Sequence, residues 1–183
     1  MNNYAALIAP EDRISKVRAT VGGTIQEILL KDSQFDLYEM LGSIEVLVGS
    51  KIYHKLPTSL AERMVFAFTW LAREVRNGGF HQFFFNSAGD YWKDVLDGLI
   101  AIGDEDGLAR YRQVLSIFPD STPSVDRLTR LELLEKLEEE DEEKVSDHFN
   151  RLNQEYFSSP FPKWELVYDY VKRHPEEFDL REA

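Results

Sequence analysis

Apolar residues recur along most of the chain at the three- and four-residue spacing of an α-helix. This spacing places an apolar stripe on one side of each helix, and no segment shows the strict alternation of a strand between hairpin turns. The stripes lie in residues 14–29, 35–48, 60–75, 92–102, 108–115, 128–137, 145–156 and 163–171. The sequence therefore predicts an all-α protein of about eight helices.

Glycine, asparagine and proline positions divide these stripes. Residues 22–23 (Gly-Gly) interrupt the first stripe, and residues 77–79 (Asn-Gly-Gly) follow the most apolar one. Because Asn and Gly accept the left-handed conformation that ends helices, residues 77–79 predict a helix end. Residues 121–124 (Ser-Thr-Pro-Ser) predict a helix start. All linkers are shorter than about ten residues, which favours a single compact domain over residues 1–183.

The charge of the chain is uneven along its length. The 183 residues include 33 acidic and 21 basic side chains, for a net charge of −12. Residues 1–100 hold 12 acids and 10 bases, whereas residues 101–183 hold 21 acids and 11 bases. This balance argues against direct binding to nucleic acid or an anionic membrane, which require a basic surface. It favours a basic partner, the alternative being an acidic surface that serves solubility alone.

The composition and the apolar stretches also bear on the cellular location of the protein. The chain contains no cysteine, which excludes disulfides, thiolate metal sites and a thiol nucleophile. The first residues lack the basic and apolar regions of a signal peptide, and the longest apolar stretch is too short to span a membrane. We therefore expect a cytoplasmic protein.

The motifs of common active sites are missing from the sequence. The four histidines have no metal-ligand spacing, and no phosphate loop or G-x-S-x-G nucleophile motif is present. In a calcium loop with Gly107 at its sixth position, the first ligand position would be Ile102, which cannot ligate. The sequence thus predicts a non-enzymatic protein without catalytic residues, metal or cofactor.

Six consecutive acidic residues, 138–143, form the most unusual local feature. In a helix they would place about one charge per 1.5 Å of axis, close to the ~1.7 Å per charge of duplex DNA. We predict an acidic, partner-binding surface formed by Asp104, Glu105, Asp106, Glu135, Glu138, Glu139, Glu142 and Glu143. The alternative is a structural role. In it, the run forms the first turn of a helix that begins near Glu139, where carboxylates interact favourably with the positive end of the helix dipole.

Residues 80–85 contain four phenylalanines, which predicts a core segment because each represents ~1.5–3 kcal/mol of burial. The polar residues around them suggest caps: residues 77–79 for the preceding helix, and Asn86, Ser87 or Asp90 for its neighbours. The sequence also allows a pocket lined by His81, Gln82 and Asn86.

This segment resembles the signature N-G-G-F-x-Q-F-F-x-N-S-x-G-D of the DNA mimic protein 19 family of small acidic helical proteins. The resemblance covers about residues 40–178, and the fifth motif position, often Asp in relatives, is His81 here. The matching positions are Asn77, Gly78, Gly79, Phe80, Gln82, Phe83, Phe84, Asn86, Ser87, Gly89 and Asp90.

The resemblance implies an all-α fold and, from the best-known member, a dimer whose carboxylates imitate DNA phosphates on the DNA-binding face of a transcription factor. The leading hypothesis is accordingly an acidic protein–protein interaction module for a basic DNA-binding partner. The alternatives are an immunity-type inhibitor of a basic nuclease and a ligand-binding or hydrolytic protein with a pocket near His81.

Overall fold

The computed structural model describes residues 11–181, and within this range it contains α-helices, short 3₁₀ segments and no strand. The all-α prediction is confirmed. No helix in this range is both long and apolar enough to cross a membrane. The helices are α1 (Glu11–Val21), α2 (Ile25–Leu29), α3 (Leu37–Tyr53), α4 (Leu60–Phe85), α5 (Trp92–Ile102), α6 (Glu105–Leu115), α7 (Arg127–Ser158) and α8 (Trp164–Arg173).

The chain divides into two compact units, and the single-domain organisation stays a prediction. One unit is Trp70–Lys163, and the other combines the described residues up to Thr69 with those from Trp164 onward. In the latter unit α3 is central, because α1, α2 and α8 all pack against it. The predicted break at residues 22–23 is confirmed: α1 ends at Val21, and Gly22 has a φ of +102°.

A buried ion pair lies in the α3-centred unit. The Lys51 Nζ is 2.7 Å from a Glu62 carboxylate oxygen, and both side chains are almost fully buried. Lys51 also donates to the Asp179 carbonyl oxygen, and Glu62 accepts from the amides of Asp179 and Ser59. Since every charge has several partners, the desolvation penalty of burying the pair is offset.

In the other unit, the phenylalanines of the signature form the core. Phe80, Phe83 and Phe84 are fully buried, which confirms their predicted core role, whereas Phe85 is 46% exposed. The Phe80 ring packs on Tyr156 with ring centroids 5.6 Å apart, and the Phe84 ring packs on Phe118 at 4.8 Å. Residues 80–85 are helical, so the aromatic segment is the last part of α4.

The predicted helix end at residues 77–79 is confirmed: Gly78 and Gly79 are non-helical, and the part of α4 that follows them, up to Phe85, is a second helical segment beyond the kink. Gly79 has a φ of +80° and a ψ of −176°. This conformation lies outside the left-handed helical region, and glycine alone adopts it readily. The Asn153 Oδ1 of α7 accepts the Phe80 amide at 2.9 Å. The helix can restart because this side chain caps the amide that the kink leaves free.

The guanidinium of Arg130, on α7, is fully buried and organises the chain around the signature. It donates to the carbonyl oxygens of Phe84, Asn86 and Ser124, and its Nη2 lies 2.7 Å from the Asp90 Oδ1. A Cβ on Gly89 would lie 2.8 Å from the Arg130 Nε, so only glycine leaves room for the arginine.

These contacts correct the predicted caps. Asn86 makes no side-chain cap hydrogen bond, and the Asp90 carboxylate binds Arg130. The predicted helix start at residues 121–124 is also wrong: α7 begins at Arg127, and the Asp126 Oδ1 accepts the Thr129 amide. The amide and hydroxyl of Thr129 lower the pKa of Asp126, so this cap stays ionised to a lower pH than an ordinary aspartate does.

Replacing Gly79 by alanine should lower the free energy of unfolding by about 1–3 kcal/mol, the cost of holding a side-chain-bearing residue in this conformation. The new Cβ would also lie 2.3 Å from the Asn153 Nδ2. Urea denaturation followed by circular dichroism measures the change. As a control, Gly42→Ala in α3 adds a Cβ with no atom within 4 Å and should stabilise by about 0.5–1 kcal/mol. Unchanged stability of Gly79→Ala would contradict the role given to the kink.

Replacing Arg130 by methionine should destabilise the fold by about 3–5 kcal/mol, because three carbonyl groups and the Asp90 carboxylate lose their partner. Arg112→Met removes an exposed arginine and should change stability by no more than about 0.5 kcal/mol. Equal denaturation midpoints for the two variants would show that the Arg130 network does not hold the fold.

Candidate functional site

The acidic run lies on α7 and spans a break in that helix. Asp141 has a φ of −163° and a ψ of 83°, which interrupts the helix, and its side chain accepts the Lys144 amide at 3.0 Å. Asp141 therefore caps a new helical segment. The break divides α7 into a first segment, residues 127–140, and a second segment, residues 142–158.

Several α7 carboxylates have no partner among the described residues. They are exposed to solvent and make neither an ion pair nor a hydrogen bond within residues 11–181: Glu132, Glu135, Glu139, Glu142 and Glu143. Three of them, Glu132, Glu135 and Glu139, follow one another at helical spacing on one face of the first segment. We call these three residues the α7 carboxylate stripe.

The acids before the break and those after it interact differently with the helix dipole. Glu142 and Glu143 lie in the first turn after the Asp141 cap, where carboxylates interact favourably with the helix dipole. Residues 138–140 instead lie in the last turn of the first segment, where a carboxylate costs ~0.3–1 kcal/mol. The structural explanation of the run, a first helical turn beginning near Glu139, is thus wrong for residues 138–140.

Two lysines, Lys136 and the exposed Lys144, border the run. Lys136 lies 3.9 Å from Glu140, in an exposed pair that contributes little. His148 is in the second segment of α7, and burial lowers the pKa of its imidazole. His148 is therefore neutral at pH 7 and does not offset the acidic charge.

The residues predicted on α6 do not all reach the surface. Asp104 is 1% exposed: its carboxylate accepts the amides of Gly107 and Lys163, each at 3.0 Å, and so caps α6. Its proposed contact with a partner is therefore wrong. Glu105 and Asp106 are exposed in the first turn of α6, where Asp106 pairs with Arg110 at 2.6 Å.

His81 of the signature contacts the acidic run. Its Nε2 lies 2.8 Å from the Glu138 Oε1, and both side chains are 40% exposed. The imidazole stacks against Phe85 with ring centroids 6.2 Å apart and meets Phe149 edge-on at 5.9 Å. Sequence reasoning did not pair His81 with Glu138, because 57 residues separate them.

Gln82 and Asn86 share one structural partner, whereas His81 contacts Glu138. The side-chain amides of Gln82 and Asn86 donate to the Glu74 carboxylate at 2.6 and 2.9 Å, which satisfies this buried acid. The signature does border a cavity of about 460 Å³, but through residues 77–79 and not through His81, Gln82 or Asn86.

One cluster in the described residues has the donor types of a metal site. His174, Glu176 and Glu177 each offer a ligand atom, and these atoms lie within 4.8 Å of one another. The Tyr170 hydroxyl already donates to the Glu177 carboxylate. The cluster belongs to the α3-centred unit, whereas the stripe belongs to the unit Trp70–Lys163.

Comparison with known proteins places these features in a family. A family model described as DMP19-like protein matches residues 56–174, a range that includes the Arg130 network and all of α7. No curated protein and no solved structure gives a significant match. The match covers more than half of the chain and lies within the predicted range of about residues 40–178. The chain therefore belongs to the DMP19-like protein family.

Proposed function

We propose that this protein is a non-enzymatic interaction module that binds the DNA-binding surface of a basic protein. The α7 carboxylate stripe, with Glu142 and Glu143, would take the positions of DNA phosphates against the lysine and arginine side chains of that partner. The observation that carries the proposal is the set of exposed carboxylates that make no hydrogen bond or ion pair within the described residues.

The placement of these carboxylates supports a binding role over a structural one. Like charges at i, i+3 and i, i+4 destabilise a helix by about 0.2–0.5 kcal/mol per pair. Glu132 and Glu135 form one such pair, and Glu135 and Glu139 form another. A cationic surface removes this repulsion in the complex, so the charges that cost stability in the free protein contribute to binding.

Four polar side chains of the signature segment bind other side chains of the protein, which supports a non-enzymatic role. The side chains of Gln82 and Asn86 donate hydrogen bonds to Glu74. Asp90 pairs with Arg130, and His81 contacts Glu138. These four side chains thus each have a defined structural partner.

The proposal predicts weaker, less salt-dependent binding after the triple substitution Glu132→Gln, Glu135→Gln and Glu139→Gln. At ~0.2–1 kcal/mol per exposed ion pair, affinity should fall about threefold to a hundredfold. Basic proteins captured from the native lysate at low salt are identified by mass spectrometry and purified. Their affinity for the wild type and the variant is then titrated against salt, with and without duplex DNA.

A matched control replaces three exposed acids of the other unit: Glu11→Gln, Asp12→Asn and Glu165→Gln. It removes the same charge and should retain the affinity and salt dependence of the wild type. Equal effects of the two triple variants, or a complex that holds DNA and this protein together, would refute the proposal. A retained nuclease that this protein inhibits would assign the inhibitor function instead.

A further inference from the structure

The cavity of about 460 Å³ at the kink of α4 lies between that helix and the second segment of α7. Its walls come from residues 75–79 of α4 and from Asn150, Asn153, Gln154 and Phe157 of α7. These α7 positions follow one another at a spacing of three and four residues, which places them on one face of the helix. We call this space the kink cavity. Its volume lies within the range of small-molecule sites, ~300–1,000 Å³.

The walls of the kink cavity carry one positive charge and no negative charge, in a chain whose net charge is −12. The cation is Arg76, which is exposed and makes neither an ion pair nor a hydrogen bond within residues 11–181. Its charge acts on Tyr156 of α7: burial raises the pKa of this tyrosine to about 12, and Arg76 opposes the rise. The Arg76 guanidinium therefore lies near α7, where an anion in the cavity could bind it.

A larger cavity of about 560 Å³, which shares Gln154 with the kink cavity, lacks such an unpaired cation. Both of its arginines already have anionic partners: Arg110 lies 2.6 Å from Asp106, and Arg151 lies 2.8 Å from Glu155. An added anion would have to compete with these carboxylates. The kink cavity is therefore the better anion site of the two.

Three side-chain amides of the kink cavity have unused hydrogen-bonding capacity. Asn77 and Gln154 make no side-chain hydrogen bond within the described residues. The Asn153 Oδ1 accepts the Phe80 amide, which fixes the orientation of the group and leaves its Nδ2 without an acceptor in the same range. A Cβ on Gly79 would lie 2.3 Å from that Nδ2, so glycine leaves room for the amide. Since a side-chain amide offers both a donor and an acceptor, these groups match the N–H and C=O of an amide in a ligand.

The groups around the kink cavity together favour one kind of anion. The planar guanidinium of Arg76 matches the two oxygens of a carboxylate, and one arginine neutralises its single charge. A phosphate group carries up to two charges on three oxygens, and the cavity supplies no second cation. Phe157, which is 57% exposed, adds an aromatic surface for an apolar group of the ligand.

We propose that the kink cavity binds an N-acylated amino acid with an apolar side chain, through its free carboxylate. Arg76 binds the carboxylate, and Phe157 contacts the apolar side chain. The acyl amide group binds the side-chain amides of Asn77, Asn153 and Gln154. A small acylated amino acid and the C-terminus of a peptide both have this chemistry. The site goes beyond the proposed function, because it lies on the second α7 segment and uses none of the stripe carboxylates.

Titration of the ¹⁵N-labelled full-length protein with N-acetyl-leucine, followed by NMR, tests the site. The backbone signals of Gly78 and Gly79 should shift as the ligand binds. N-acetyl-leucine amide, which lacks the negative charge, should bind about tenfold more weakly or worse. N-acetyl-glycine, which lacks the apolar side chain, should bind about five- to tenfold more weakly.

Single variants assign these preferences to residues. Arg76→Gln should lose the preference for the carboxylate over the amide and keep the fold, because the arginine makes no ion pair or hydrogen bond within the described residues. Arg112→Gln, at an exposed arginine of α6 outside the cavity, should retain the preference and serves as the matched control. Phe157→Ala should lose the preference for N-acetyl-leucine over N-acetyl-glycine.

Three results would overturn the site. They are equal binding of N-acetyl-leucine and its amide by the wild type, a preference for the carboxylate that survives Arg76→Gln, and a titration that leaves the Gly78 and Gly79 signals unmoved. Inorganic phosphate that binds the kink cavity more tightly than N-acetyl-leucine does would overturn the carboxylate in favour of a phosphorylated ligand.

A longer ligand distinguishes the two sources of the carboxylate. Tighter binding of the tripeptide N-acetyl-Ala-Ala-Leu than of N-acetyl-leucine would assign the cavity to peptide C-termini, and equal or weaker binding would assign it to a small acylated amino acid. The triple substitution of the α7 carboxylate stripe should leave both affinities unchanged. The site and the proposed function can therefore fail independently of each other.

Discussion

The buried guanidinium of Arg130 is the interaction on which the arrangement of the signature depends. It binds carbonyl groups at the end of α4 and in the loop before α7, and it forms an ion pair with Asp90. A buried charge is tolerated only when nearly all of its donors are satisfied. The backbone of residues 84–90 therefore has to take the path that presents these acceptors, and Gly89 has to lack a side chain.

The same network fixes the position of the acidic surface. Arg130 lies one turn inside α7 and binds the end of α4, so the first α7 segment lies alongside residues 81–85. This proximity brings His81 to Glu138 and Arg127 to Phe85. The contacts hold one side of the segment, and the side that carries the stripe remains exposed to solvent.

The sequence predicts the elements of this structure better than it predicts the contacts between them. Helical periodicity and the density of phenylalanine are local signals, and they correctly predict the helices and the burial of Phe80, Phe83 and Phe84. Arg130 gives no local signal, because an arginine on a charged helix is typical of a solvent-exposed face. Asp104 is likewise surrounded by exposed acids in the sequence, and only the tertiary fold shows that its carboxylate caps α6.

The structure separates the residues that hold the fold from the exposed acids that the proposed function places against a partner. Phe80, Phe83 and Phe84 of the signature pack in the core, its Gln82 and Asn86 satisfy Glu74, and its Asp90 satisfies Arg130. The presence of these residues follows from folding requirements. The stripe makes no hydrogen bond or ion pair within the described residues, and its charges repel one another. Because folding does not require these carboxylates, related chains can keep the signature and still differ in this surface. Under the proposed function, the placement of the exposed acids, more than the signature itself, would determine which basic surface this protein binds.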